Sequence, residues 1–452
     1  MRAAAVRTVQ EADPIGYDPL APAVIADPYP WYRRLLADDA PRVYHDRRND
    51  VWVLSRYDDV YEAVRNPGAL SSAEGVAFRR MYSPMMITSD PPDHTRLRRI
   101  VSREFTPRTL ERWQPMIDRL AAEAVARLGH DRPVDFVAEV ASPFPVTVIA
   151  AILGIGDEDL PQLRRISDDV IEMFKMTDPD NRAARVIVDV MSRRRTVESL
   201  TRFGMRFPVA ARRFMLGLTA VTRRLVGEQQ WAEDVARGPR GVADLQVVCA
   251  ALVRQRRAKP GDDLISKLLA EHPDGSLNDS EVFFFFLLLL IAGHETTTNL
   301  LGNMVIALMD RPEGWQKLKE DPSLVPSAVR ESLRYESPIQ GFFRTASTAY
   351  RVGDAEIPEG ARVLLLFGAA NRDPRHYPDP DAFRADRDPR DHVGFGGGIH
   401  YCLGASLAEM EGAAVLRELL AATDRIDLVG EIGRTQNPTL RGAKRLPIGL
   451  RG

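Results

Sequence analysis

Residues 281–310, EVFFFFLLLLIAGHETTTNLLGNMVIALMD, limit the fold more than any other stretch. Eleven consecutive residues, Val282 to Ala292, are apolar. A helix that is apolar all round must be buried, and this run falls well short of the roughly 20 residues that cross a bilayer. The chain therefore has to wrap other helices around it. A length of 452 residues allows one large core or several domains of the usual ~100–200 residues. Apolar residues at 44% and charged residues at 27% exclude disordered, collagen-like and disulfide-scaffold chains. The net charge of −2 calls for neither nucleic acid nor an acidic surface. Six of the 61 basic residues are lysine and the other 55 are arginine, a bias that fits a GC-rich bacterial source.

Other apolar periodicities are helical: residues 110–128, Leu245–Gln255 and Ala413–Leu420. Strand-like stretches are short: Val51–Leu54, Arg351–Ile357 and Arg362–Phe367. The expected fold class is mainly α with small β-sheets, one domain over residues 1–452. Residues 1–30 carry acids and prolines and lack the apolar core of a signal peptide, and only Cys249 and Cys402 occur. A cytoplasmic protein without a transmembrane anchor is expected. Residues 181–240 stand apart, with thirteen arginines against five acids. Phe203, Phe207, Phe214 and Leu218 recur there at helical spacing, with Pro208 between them as a breaker. The plain reading is an amphipathic excursion packed on the body. The sharper reading is a basic surface for a membrane or an anionic partner.

Chemistry concentrates in Phe395-Gly-Gly-Gly-Ile-His400-Tyr-Cys402-Leu-Gly404, followed by the helical ASLAEMEGAAVLRELL. Glycines let the backbone turn tightly and approach a flat ligand. Cys402 falls at a helix start, where free N–H groups and the dipole favour a thiolate. Tyr401 occupies the third glycine position of a dinucleotide fingerprint, and no second Cys/His pair completes a zinc site. A thiolate on such a loop fits haem iron, where it promotes O–O cleavage. In the apolar helix, Glu295 and Thr296 interrupt the pattern, while Ala292 and Gly293 remove bulk beside them. A gap next to a hydroxyl and an acid suits proton delivery to oxygen. Three weaker signals accompany these. Asp90-Pro-Pro-Asp-His94-Thr-Arg-Leu-Arg98 reads as a capped helix start with His94 and Arg98 on one face, a clamp for carboxylates. Glu331 and Arg334 stand at i, i+3, commonly a surface pair. Asn371-Arg372-Asp373-Pro374 adds an arginine in a turn-rich stretch.

The order and spacing of these motifs resemble the cytochrome P-450 family, soluble bacterial type, from about Asp27 to the C-terminus. The resemblance implies that Cys402 is the proximal ligand of haem b iron. It implies that His94, Arg98, Arg344 and His400 bind haem propionates, within a site that includes Phe395, Gly404, Ala292 and Gly293. Glu331, Arg334 and Arg372 would form a buried structural triad, and Glu295 with Thr296 would deliver protons to dioxygen. The implied activity is insertion of one oxygen atom into a bulky hydrophobic substrate, free or carrier-bound. Electrons would come from a separate ferredoxin and ferredoxin reductase, with Arg99, Arg103 and Arg108 steering the donor, and a monomer is expected. Alternatives are a peroxide-driven peroxygenase, an isomerase or a non-catalytic haem carrier. One departure is visible: 199 residues separate His94 from Gly293, ~50 more than a compact member needs, and the surplus falls in 181–240.

Overall fold

The long apolar stretch forms a 31-residue helix, Asp279–Met309, opened by a capping box. The Asn278 side chain accepts from the N–H groups of Ser280 and Glu281, and Glu281 accepts from the Asn278 N–H at 2.9 Å. In length and composition the helix could cross a membrane, but 61% of its most apolar window is buried inside the protein. It is the centre of the core. The computed structural model describes residues 15–129, 132–175, 194–214, 216–217, 230–270, 275 and 277–451.

The helices that position the site are α1 (Asp93–Val101), α2 (Gln114–Ala126), α3 (Pro143–Leu153), α4 (Leu160–Lys175), α5 (Arg194–Arg206), α6 (Gln230–Ala258), α7 (Asp279–Met309), α8 (Val325–Tyr335) and α9 (Ala405–Ala422). Helix α7 touches α3, α4, α5, α6, α8 and α9. The single helix expected over 110–128 is broken. A short helix ends at Leu110, a tight turn covers Glu111–Trp113, and α2 begins with Pro115 in its first turn. Proline has no N–H to continue an earlier helix but suits a new start.

The principal sheet contains β1 (Tyr44–Asp46), β2 (Val51–Leu54), β3 (Leu70–Ser71), β4 (Phe342–Ala346) and β5 (Arg362–Leu365), in the order β1-β2-β5-β4-β3. Strands β2 and β5 run parallel, with Val51 opposite Arg362. The expected strand 351–357 is a hairpin, Tyr350–Val352 with Ala355–Ile357, turning at Gly353 with φ +58°. The strand expected to reach Phe367 ends at Leu365, and Phe367 starts a short helix.

In the arginine-rich region, 181–193, 215 and 218–229, with Leu218, lie outside the described residues. Helix α5 ends at Arg206, and a new helix starts at Pro208, as expected of a breaker. Arg212 pairs with buried Asp244, and Arg237 and Arg240 pair with buried Asp169 at 2.7 and 2.9 Å. These three arginines tie the region to the body, as the plain reading holds.

Candidate active site

The Cys402 loop is shaped by close backbone approach. Gly396 and Gly398 have φ of +68° and +59°, the left-handed region where glycine is favoured. A Cβ on Gly398 would lie 2.5 Å from the Val64 carbonyl oxygen, and one on Gly397 would lie 2.6 Å from Val64 Cγ2. The Cys402 N–H donates to the Phe395 carbonyl at 2.9 Å and closes the loop. Gly404 is the N-cap of α9, so Cys402 does sit at a helix start. Burial pushes its thiol up, while the Gly404 N–H and Arg98 pull the other way. The helix start thus favours the thiolate, as expected, and burial opposes it. A coordinating metal ion deprotonates a thiol outright. Cys249, fully buried on α6, is pushed up by burial and lies away from this loop in the apolar core.

Beside the loop, four donors converge. His94 and Arg98 come from α1, Arg344 from β4 and His400 from the loop. The His94 and His400 rings meet edge-on, 4.5 Å between centroids. Among the described residues, neither buried ring nitrogen of His94 has a hydrogen-bond partner. Arg344 is buried and donates to the carbonyl of its neighbour Phe343 at 2.8 Å. Burial lowers Arg344 to about 10 and lowers His94 and Arg98 as well. Burial, then Arg344, His94 and Arg98, drive His400 down to about 2. Asp90 lends opposing charge, but it is engaged by the Ser71 hydroxyl and the Ser72 N–H. It does not cap α1, which starts at Asp93. His400 Nε2 lies 3.2 Å from the Ser72 hydroxyl, so the unmet hydrogen-bonding capacity is clearest at His94, and buried polar groups without a partner cost free energy. A group carrying carboxylates would satisfy them, and the two propionates of haem b fit this cluster.

Helix α7 presents a polar interruption. Ala292 is exposed in mid-helix, while Leu288, Leu289, Glu295 and Thr296 are half-buried. The Thr296 hydroxyl donates to the Ala292 carbonyl one turn back. Gly293 serves another purpose than expected. A Cβ there would meet Ile149 Cδ1 at 2.8 Å, so this glycine admits α3, and Ala292 alone opens the helix surface. Phe285 is buried edge-on against Phe105. His294 anchors α7, with its ring nitrogens 3.2 Å from the Ser142 hydroxyl and 2.7 Å from that of Ser167.

The Glu331–Arg334 pair is buried, with both side chains 0% exposed. Arg372 does not join it. Arg372 donates to the Tyr335 carbonyl and to Asp381 at 2.6 Å, and its guanidinium lies over the Tyr335 ring at 3.8 Å. The further contacts on Glu331 are Arg387 Nε at 3.2 Å and the Arg384 N–H at 2.9 Å. The triad thus closes on Arg387, because Arg372 is drawn to the end of α8. Sequence reasoning also missed Glu411, buried on α9 and hydrogen-bonded to Thr297 of α7. Its signal was an acid four residues after Leu407 and four before Val415, which puts it on the apolar face of its helix.

A glycine-rich cysteine loop at a helix start, a cluster of donors beside it and an interrupted core helix are the arrangement expected of a haem-thiolate protein. A family model described as Cytochrome P-450 matches residues 242–422. The beta-dihydromenaquinone-9 omega-hydroxylase of Mycobacterium tuberculosis is 40% identical over 437 residues, covering 96% of this chain and 78% of that protein. The crystal structure of CYP109E1 from Bacillus megaterium in complex with corticosterone has a TM-score of 0.77 at 28% identity, covering 95% and 100% of the two chains. That of P450BioI with an acyl carrier protein bearing hexadec-9Z-enoic acid has a TM-score of 0.76 at 27% identity, covering 95% and 99%. The chain belongs to the cytochrome P-450 family. It is a haem b monooxygenase, an oxidoreductase, and such bacterial enzymes take electrons from a redox partner.

Proposed function

We propose that Cys402 ligates the haem iron and that His94, Arg98, Arg344 and His400 hold the propionates. The observation that carries this is the buried donor cluster beside the Cys402 loop, with both His94 ring nitrogens unpartnered among the described residues. Haem b supplies the oxygen chemistry when bound. The chain's residues hold, shield and move protons. The Gly404 N–H holds the Cys402 sulfur by a hydrogen bond. Exposed Ala292 leaves space on α7, and the Thr296 hydroxyl orders water in that space. Glu295, one residue away, relays protons from outside to the Thr296 hydroxyl. Glu331, Arg334 and Arg387 hold α8 against the segment that leads into the Cys402 loop.

The substrate is a large lipophilic molecule of specialised metabolism. A relative named for hydroxylating a menaquinone and a neighbour crystallised with corticosterone support that class. Arg99, Arg103 and Arg108 are exposed on and just after α1 and suit an acidic ferredoxin, itself served by a ferredoxin reductase. The chain acts as one domain, as a monomer, in the cytoplasm. The test is the reduced carbon monoxide spectrum of the purified holoprotein. Wild type and Cys249→Ala should show the strongly red-shifted Soret band, and Cys402→Ala should lose it. The reverse pattern would move the ligand to Cys249 and end the proposal.

A further inference from the structure

Helix α5 and the turn after it carry two apolar faces, and folding accounts for only one. The inner face buries Val197, Thr201 and Met205, and a Cβ on Gly204 would lie 2.3 Å from Gln246 Oε1 of α6. The outer face has no such need, yet Phe203 is 44% exposed, Phe207 48%, Val209 57% and Phe214 58%. The Phe203 and Phe207 rings stand 5.6 Å apart, and Arg206 covers Phe207 at 5.4 Å. Between Ser199 and Gly217 the sequence holds four arginines and no acid. Arg212 is engaged with Asp244, whereas Arg202, Arg206 and Arg213 are exposed on the surface that carries the phenylalanines. Solvated helix faces do not retain aromatic side chains for stability, so this combination needs an occupant that takes both aromatic rings and positive charge.

This surface borders a cleft of about 970 Å³. Arg202, Met205 and Arg206 line one wall, and Phe284 with Asn278–Glu281 at the start of α7 lines another. The cleft reaches Thr88–Asp93, the segment that leads to His94, but its lining does not include Cys402, Ala292 or Thr296. By its lining it is not the site itself.

We infer that the outer face of α5 and the following helix start docks on the anionic surface of a lipid bilayer, with Phe203, Phe207 and Phe214 inserted at the headgroup boundary. Exposed Arg202, Arg206 and Arg213 face the headgroups, where basic side chains are attracted to anionic lipid. An acidic soluble protein would match the arginines and leave the phenylalanines in water, whereas a bilayer matches both. The cleft shares Arg202 and Arg206 with this face, so a docked protein offers a lipophilic substrate a short path from the bilayer into the cleft. That purpose rests on the lipophilic-substrate reading above, but the geometry of the surface does not.

The test is co-sedimentation of the holoprotein with vesicles of equimolar phosphatidylcholine and phosphatidylglycerol, against vesicles of phosphatidylcholine alone. Wild type should bind the anionic vesicles and weaken as salt rises. Phe203→Ser/Phe207→Ser/Phe214→Ser should bind at least ~10-fold more weakly. Arg202→Glu/Arg206→Glu/Arg213→Glu should lose the preference for anionic over neutral vesicles. Circular dichroism and the unfolding midpoint of each variant should match wild type, since all six side chains are exposed. Failure of wild type to bind anionic vesicles would overturn the inference. So would equal binding by the serine variant, or capture of a holo acyl carrier protein without vesicle binding. Loss of the thiolate Soret band with vesicle binding intact would sink the functional reading and leave the membrane surface standing.

Discussion

Arg334 donates two parallel hydrogen bonds to Glu331, from Nε at 2.7 Å and Nη2 at 2.8 Å, with neither side chain reaching solvent. Arg334 also donates to the Asn371 and Pro380 carbonyls, each at 2.9 Å. The pair thereby fastens α8 to the segment that enters the Cys402 loop. Removing one partner strands a buried charge at a cost of ~3–5 kcal/mol, against a typical domain stability of ~5–15 kcal/mol. Glu331→Ala and Arg334→Ala should yield little soluble haem protein. Arg387→Ala leaves the pair intact and should cost less, ~1–3 kcal/mol. Soluble yield and haem content per chain measure both, and normal values for Glu331→Ala would refute the structural role.

Thr296 and its neighbour Thr297 should separate function from stability. Thr296 stands on the open side of α7, and Thr297 is buried against Glu411. Thr296→Ala should keep haem content and electron consumption, while product formed per electron falls on the order of 10-fold and hydrogen peroxide rises. Thr297→Ala should lower the unfolding midpoint with coupling preserved. Unchanged coupling in Thr296→Ala would mean that protons reach the site by another route.

Arg344 is a buried cation with no ion pair among the described residues. Its effect on stability should therefore change sign with haem. Arg344→Leu should stabilise the apoprotein by on the order of 1 kcal/mol or more, because an isolated buried charge is costly. The same change should weaken haem retention ~10–100-fold, the equivalent of one charge-assisted hydrogen bond. Apoprotein unfolding and haem transfer to a scavenging globin read the two effects separately. A fall in both would place Arg344 in the fold alone.

Burial raises the Glu411 carboxyl to about 8, while its hydrogen bond to Thr297 pulls it down. The folded protein therefore holds a proton that the unfolded chain releases near the ordinary carboxyl value of 4.5. Because the folded state binds more protons across this window, stability should fall as pH rises from about 4.5 to about 8, by up to ~1.4 kcal/mol per unit from this group. Glu411→Gln keeps the shape and removes the titration. Its unfolding midpoint should lose that part of the slope, with the largest gain over wild type at the alkaline end. Parallel pH profiles for the two proteins would show that Glu411 titrates normally.

The sequence by itself determined the helical core, the position of Cys402 and the paired identity of Glu331 and Arg334. Each is a local signal: an unbroken apolar run, a glycine loop before a helix, two opposite charges one turn apart. It also announced the two-sided character of residues 199–217, because charge and aromatic spacing are properties of the chain itself. Tertiary structure decided what depends on partners distant in sequence. Arg387 and not Arg372 completes the contacts of Glu331, since that choice follows from where the turn after Asn371 lies against α8. Gly293 receives Ile149 from α3, a neighbour no spacing reveals. Whether the Cys402 thiol is raised or lowered is a contest between burial and a helix terminus, and only the depth of the site shows that burial is the larger. Periodicity along a chain can be read from sequence because it is set by bonded geometry. Pairing and desolvation cannot, because they are set by which surfaces meet.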